Sequence, residues 1–137
     1  MNLDFGVICE EISSNEGRWN LGGVGTGGTF YESYLPDFDD VLLFVSASAQ
    51  SLDEIVNPLA FSVSVHGPRR LQFRDVYELN WDTNPFENRL SVIRGYQGFS
   101  ISYPLDGEGD YRIILEAEHP DTGLVVIDHL VNVMPDL

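Results

Sequence analysis

Apolar and polar positions alternate along this chain in short runs, broken by turn residues at intervals of roughly 8–15 residues, the pattern of a β-sandwich or barrel. Residues 60–66 show it most cleanly, with Phe61, Val63 and Val65 on one face and Ser62, Ser64 and His66 on the other. Residues 3–12 and 18–24 read as the first two strands, separated by the turn cluster Ser13-Ser14-Asn15-Glu16-Gly17. Residues 41–49 open as a continuous apolar run, as expected of a buried central strand. In residues 71–78, Leu71, Phe73, Asp75 and Tyr77 oppose Gln72, Arg74, Val76 and Glu78, so that strand carries charge on both faces. Phe99, Ile101 and Tyr103 alternate with two serines. Residues 111–118 and 124–133 then predict a terminal hairpin across His119-Pro120-Asp121-Thr122-Gly123, where Pro presets φ and Gly accepts a left-handed backbone.

Helix is scarce. Ser51-x-x-Glu54 has the form of a capping box before a single turn ending near Pro58. Residues 25–40 and 80–88 read as long loops, and no repeat, linker or low-complexity tract appears. The expectation is one domain over residues 1–137, an all-β, two-sheet antiparallel sandwich of seven to nine strands with Greek-key connections.

Composition narrows the function. A chain of 137 residues, 43% hydrophobic, buries a sufficient core without staples. The lone Cys9 excludes an internal disulfide and any multi-Cys zinc site. No apolar run is long enough for a transmembrane helix, and Met1-Asn2-Leu3-Asp4-Phe5 lacks the basic start of a signal peptide, so a cytoplasmic location is expected. The net charge of −15 disfavours phosphate backbones and anionic membranes, so neither nucleic acid nor membrane is an expected partner. All seven basic residues are Arg, which rules out Schiff-base chemistry and a P-loop lysine. The charge is also uneven: residues 1–60 carry −9, residues 61–100 carry +1, and residues 101–137 carry −7.

Several motifs invite chemistry and fail on mechanism. Gly23-x-Gly25-x-x-Gly28 matches a dinucleotide fingerprint, but the aromatic segment from Thr29 to Pro36 supplies no helix N-terminus for a pyrophosphate. Asp106-Gly107-Glu108-Gly109-Asp110 spaces carboxylates like a calcium loop, yet Tyr111 stands where Gly is needed and Ala117 where a bidentate Glu belongs; a tight turn is expected. His66, His119 and His129 lie on separate elements with no ligand spacing, and solvated or hydrogen-bonded roles are expected of them. Cys9 is flanked by Glu10 and Glu11, which oppose thiolate formation, so it reads as a small packing residue. No catalytic residue, metal ligand or cofactor site is assigned.

Taken in order, Val7-Ile8-Cys9-Glu10-Glu11, Gly17-Arg18-Trp19-Asn20-Leu21-Gly22-Gly23-Val24, Tyr34-Leu35-Pro36 before the run at 41–49, and Gly109-Asp110-Tyr111-Arg112-Ile113 resemble an uncharacterised bacterial β-sandwich family, a domain of unknown function. The chain departs from that family's pattern with Leu-Pro where Phe-Pro is usual and with extra glycines at 25–28. The resemblance implies an immunoglobulin-like sandwich and supplies no activity.

The favoured expectation is a non-enzymatic cytoplasmic accessory or adaptor domain that binds another protein. Two surfaces are candidates. One is the arginine-rich strand, Arg69, Arg70 and Arg74 with Phe73 and Tyr77, because Arg and aromatics are enriched at interfaces. The other is the segment from Thr29 to Phe38, where Phe30, Tyr31, Tyr34 and Phe38 either form a contact surface or cap one end of the sandwich. Alternatives are an acidic DNA mimic occupying a basic groove, an enzyme with an acidic loop site, and plain adaptation to a salty cytoplasm. Sandwich edges also allow pairing between copies as a homodimer.

Overall fold

The structure, a computed structural model, describes residues 1–16, 18–25, 27–81, 93–118 and 122–136. Among these the chain is all-β, with ten strands: β1 Asn2–Cys9, β2 Glu11–Asn15, β3 Arg18–Gly22, β4 Gly27–Tyr31, β5 Phe38–Ala49, β6 Leu59–His66, β7 Leu71–Leu79, β8 Ile93–Pro104, β9 Gly109–Ala117 and β10 Leu124–Met134. Among the described residues helix is confined to two 3-10 turns, Glu32–Tyr34 and Leu52–Glu54.

The strands form a three-stranded sheet, β1-β5-β8, a five-stranded sheet, β4-β10-β9-β6-β7, and the small β2-β3 hairpin. The chain crosses between the larger sheets after β4, after β5, after β7 and after β8. At the seams β1 packs along β10 and β7 along β8, so the larger sheet curls around the smaller one. Inward residues of both sheets interdigitate: Leu43, Val45 and Ile101 from one side meet Phe61, Val63, Val65, Ile113 and Leu115 from the other. The alternation of β6 holds throughout, with Phe61, Val63 and Val65 fully buried.

Local differences from the sequence reading have physical causes. The run 3–12 splits at Glu10, whose amide bonds the Gly22 carbonyl and turns the chain from β1 into the hairpin. The segment 25–40 contains β4, which lies parallel to β10 from Gly27↔Leu130 to Tyr31↔Met134. A two-glycine strand has little period-2 signal, and its pairing is supplied from the far end of the chain. Ser51 donates no capping hydrogen bond; the Glu54 carboxylate instead accepts from the Gln50 amide at 3.0 Å. The β8–β9 connection is a tight turn with left-handed Gly107, φ +77°, and Gly109, φ +144°, conformations that exclude a Cβ at low strain. Most of the segment 80–88, and His119-Pro120-Asp121, lie outside the described residues.

Candidate functional site

The strand β10, Leu-Val-Val-Ile-Asp-His-Leu-Val-Asn-Val-Met, is apolar on both faces, the composition of a strand covered on both sides. Among the described residues only its inner half is covered. Ile127, His129 and Val131 face the core, while Leu124, Val126, Leu130 and Met134 face solvent and are about half exposed. Register continues this face sideways through a mixture of apolar and polar residues. Val126 stands opposite Ile114, which stands opposite Ser64, which stands opposite Arg74. Leu124 leads in the same way through Glu116 and Ser62 to the exposed Val76. At the other edge Met134 stands beside Tyr31 of β4, which is 51% exposed. Among the described residues nothing covers the outer face of the five-stranded sheet, which is rimmed by Tyr31 at one edge and Arg74 at the other.

This arrangement sorts the nine residues singled out from sequence. Arg69, Arg70 and Arg74 are exposed, and Arg74 projects from the outer face. Arg69 approaches Asp106 at 3.9 Å, too long for a hydrogen bond. Phe73 and Tyr77 point the other way and pack against the core; the Tyr77 ring meets Phe61 and Phe99 edge-on or stacked at 6.3 and 5.3 Å. In the aromatic segment Phe30 packs against the core, whereas Tyr31, Tyr34 at 83% and Phe38 at 53% stand in solvent. The segment therefore both caps the sandwich and presents rings. β4 and β7 are opposite edges of one sheet, four strand spacings apart, about 19 Å. One partner lying across the face can touch both.

A second constellation was not singled out from sequence. Asp39 of β5 and Tyr103 of β8 are directly opposed, and the Tyr103 hydroxyl donates to Asp39 Oδ2 at 2.6 Å. From the facing sheet, His129 of β10 is opposed to Tyr111 of β9, and His129 Nε2 lies 3.3 Å from the same Asp39 oxygen. Two cross-strand pairs, one per sheet, thus meet in the core, with the Tyr103 ring 5.8 Å from Tyr111 and edge-on to His129. Burial first, then the Asp39 hydrogen bond and charge, push the Tyr103 phenol far above its ordinary range, so its hydroxyl remains the donor. Tyr111 donates to the Gly107 carbonyl and accepts the Asp106 amide, both at 2.7 Å, clamping the β8–β9 turn. His129 is 2% exposed, and its Nδ1 has no hydrogen-bond partner among the described residues.

His129 and Asp39 form part of the wall of a groove of about 500 Å³ that also meets Cys9, Glu10, Asp40, Gly25 and Gly28. Cys9 turns its thiol toward the Leu42 carbonyl at 3.8 Å, and burial raises its pKa, so it is a packing residue rather than a nucleophile. No group of three or more His, Cys, Asp or Glu side chains suited to a metal ion occurs among the described residues. The apparent dinucleotide fingerprint leads into strand β4, not a helix. Among the described residues no helix is long and apolar enough to cross a membrane.

The signal for the outer face was present in β10 as apolar residues at both parities. The signal for the Asp39 cluster was not, because it joins positions 39, 103 and 129 through cross-strand register and sheet stacking.

Comparison with protein-family models, curated proteins and solved structures finds no match for this chain.

Proposed function

We infer that the chain is a non-enzymatic accessory domain that binds a basic protein partner through the outer face of its five-stranded sheet. The observation that carries this is β10: four of its outward positions, Leu124, Val126, Leu130 and Met134, are large, apolar and half exposed. Several large apolar side chains exposed on one sheet face are a recurrent mark of association, and Tyr31 beside Met134 adds the rigid, amphipathic ring that interfaces favour. Burying one such aliphatic side chain contributes roughly 1.5–3 kcal/mol, so several suffice for a stable contact.

The partner's charge follows from complementarity. A net charge of −15 draws a basic protein by long-range steering and repels an acidic one. The outer face itself is mixed, with Arg74 and Arg112 beside Glu116 and Asp128, which suits a docking surface better than the regular acidic rows a DNA mimic needs. We place the domain in the cytoplasm, in keeping with its reduced lone cysteine. The Tyr111 hydroxyl reaching back to Gly107, four residues upstream, supports the immunoglobulin-like kinship, since sandwiches of that type lock a corner in the same way.

The test is a pull-down from native lysate at ~0.1 and ~0.5 M salt, comparing the parent chain with Val126→Arg, Arg74→Glu and a Ser102→Arg control on the other sheet. A stoichiometric basic partner, lost with Val126→Arg, held at least as well by Arg74→Glu and retained by the control, supports the reading. A partner indifferent to Val126→Arg, or none at either salt, removes it.

A further inference from the structure

The three-stranded sheet carries aromatic chemistry on its own outer face. Alternation directs Phe44 and Ser46 of β5 outward, since Leu43, Val45 and Ala47 belong to the core. Both are nonetheless buried, at 3% and 0% exposure. The β2-β3 hairpin lies over this face. Gly98, opposite Phe44 on β8, permits the approach, because a Cβ there would stand 2.9 Å from Ile12 Cδ1. Trp19 of β3 packs on the Phe44 ring at 5.4 Å, and Tyr96 of β8 stacks on it at 5.7 Å. Together with Arg18, Asn20 and Leu21 these rings line a cleft of about 450 Å³, within the range of small-ligand sites.

With Phe44 buried, the ring surface left open is that of Trp19, 38% exposed, and of half-buried Tyr96. Their planes lie 55° and 15° from that of Phe44, so they are at least about 40° (55 less 15) from each other. A flat ligand stacks on only one such wall at a time, whereas a thicker ring with two apolar faces meets both. The rim is polar without being acidic: in a chain with 22 acids, no carboxylate lines the cleft. Arg18 and Asn20 are exposed, and neither side chain has a hydrogen bond or ion pair among the described residues. Arg18 opposes a cationic ligand, and the net charge of −15 opposes an anionic one.

We propose that this cleft binds a glucopyranose unit of β configuration, with its C–H faces against Trp19 and Tyr96 and its hydroxyls met by Arg18 and Asn20. All ring substituents of that chair are equatorial, which leaves axial hydrogens on both faces. Its hydroxyls, each donor and acceptor, ring the edge and suit a rim that holds both an amide and a guanidinium. The unit is either a single sugar or part of a chain. The site lies on the other sheet from the docking face and is independent of it.

The experiment titrates the intact chain with methyl β-D-glucopyranoside and, separately, with cellotriose, following the two indole N–H signals by NMR. Trp81, buried with its Nε1 donating to the Val56 carbonyl at 3.1 Å, is the internal reference. Saturable binding with a selective shift at Trp19 supports the site. Equal affinity for the two probes points to a single sugar, and preference for cellotriose points to a chain. Trp19→Leu keeps an apolar cover over Phe44 and is expected to weaken binding about two- to tenfold by calorimetry, the size of an aromatic ring contact. Asn20→Ala, at an exposed position, is expected to weaken it by about the same factor through a lost hydrogen bond. An unaltered Trp81 signal reports an intact fold in each variant. Absence of saturation by either sugar overturns the proposal. So does unchanged affinity in both variants, or tighter binding of adenosine, a flat neutral ligand. A Trp19 shift that follows protein concentration without sugar also overturns it, because the cleft is then a contact between copies.

Discussion

Replacing Tyr103 by Phe removes one hydroxyl from the core and keeps the ring. At neutral pH the lost interaction is a hydrogen bond from a buried phenol to a carboxylate at 2.6 Å, about 1.5–3 kcal/mol. For 137 residues, with an unfolding entropy near ~2.1 cal/mol/K per residue, that lowers Tm by about 5–10 °C. The alkaline response is more discriminating. In the folded chain burial and Asp39 hold the Tyr103 phenol well above its ordinary value of 10.0. In the unfolded chain it ionises near that value, so above pH ~10 only the unfolded state has released the proton. The Tyr103 contribution is thus complete below pH ~10 and falls as pH rises further, by about 1.4 kcal/mol per pH unit. Tyr111 and Tyr77 are raised by burial and act in the same direction, as does Cys9 from its lower starting value of 9.0. Because the chain contains no lysine, no ammonium side chain obscures this limb. Urea unfolding at intervals from pH ~9 to ~12, with tyrosinate absorbance as the second probe, measures it. Tyr103→Phe is expected to be less stable at pH 7 and to lose stability with pH by one proton less than the parent. Parallel slopes for the two proteins, or ionisation of all six tyrosines before unfolding, would refute the argument.

Three further outcomes follow from the packing. Leu115→Ala, at a fully buried position between the sheets, is expected to cost about 2–5 kcal/mol in chemical denaturation with the m-value unchanged. Gly109→Ala combines φ +144° with a Cβ only 2.6 Å from Pro68 Cγ, and a loss of about 1–3 kcal/mol by the same assay is expected, against a smaller loss for Gly123→Asn, where φ is +83° but a Cβ meets nothing within 4 Å. Cys9 should react with a thiol reagent at native pH only at the rate of local opening, and rapidly in urea, because burial both shields the thiol and raises its pKa.

Much of the architecture was legible as period-2 patterning. Phe61, Val63 and Val65 alternate with small polar residues and are fully buried, and the glycines flanking Glu108 mark a tight turn. Other features were locally invisible. β4 has almost no pattern of its own, because Gly27 and Gly28 have no side chains to alternate; it is a strand because β10 offers it a parallel edge. The aromatic segment was legible as unusual, yet its composition does not separate Phe30, packed on the core, from Tyr34, fully in solvent. Phe73 and Tyr77 share a strand with Arg74 but point away from it, as alternation requires.

By itself the sequence determined an all-β chain, strong acidity, the absence of lysine and disulfide chemistry, and the inward parity of most strands, because these depend on composition and on neighbours two residues apart. Only the tertiary structure decided which strands adjoin, that no described residue covers the outer positions Leu124, Val126, Leu130 and Met134 of β10, and that Asp39, Tyr103 and His129 share one buried site. Those are outcomes of cross-strand register and of one sheet closing on another, and they join residues whose separation along the chain has no local signature.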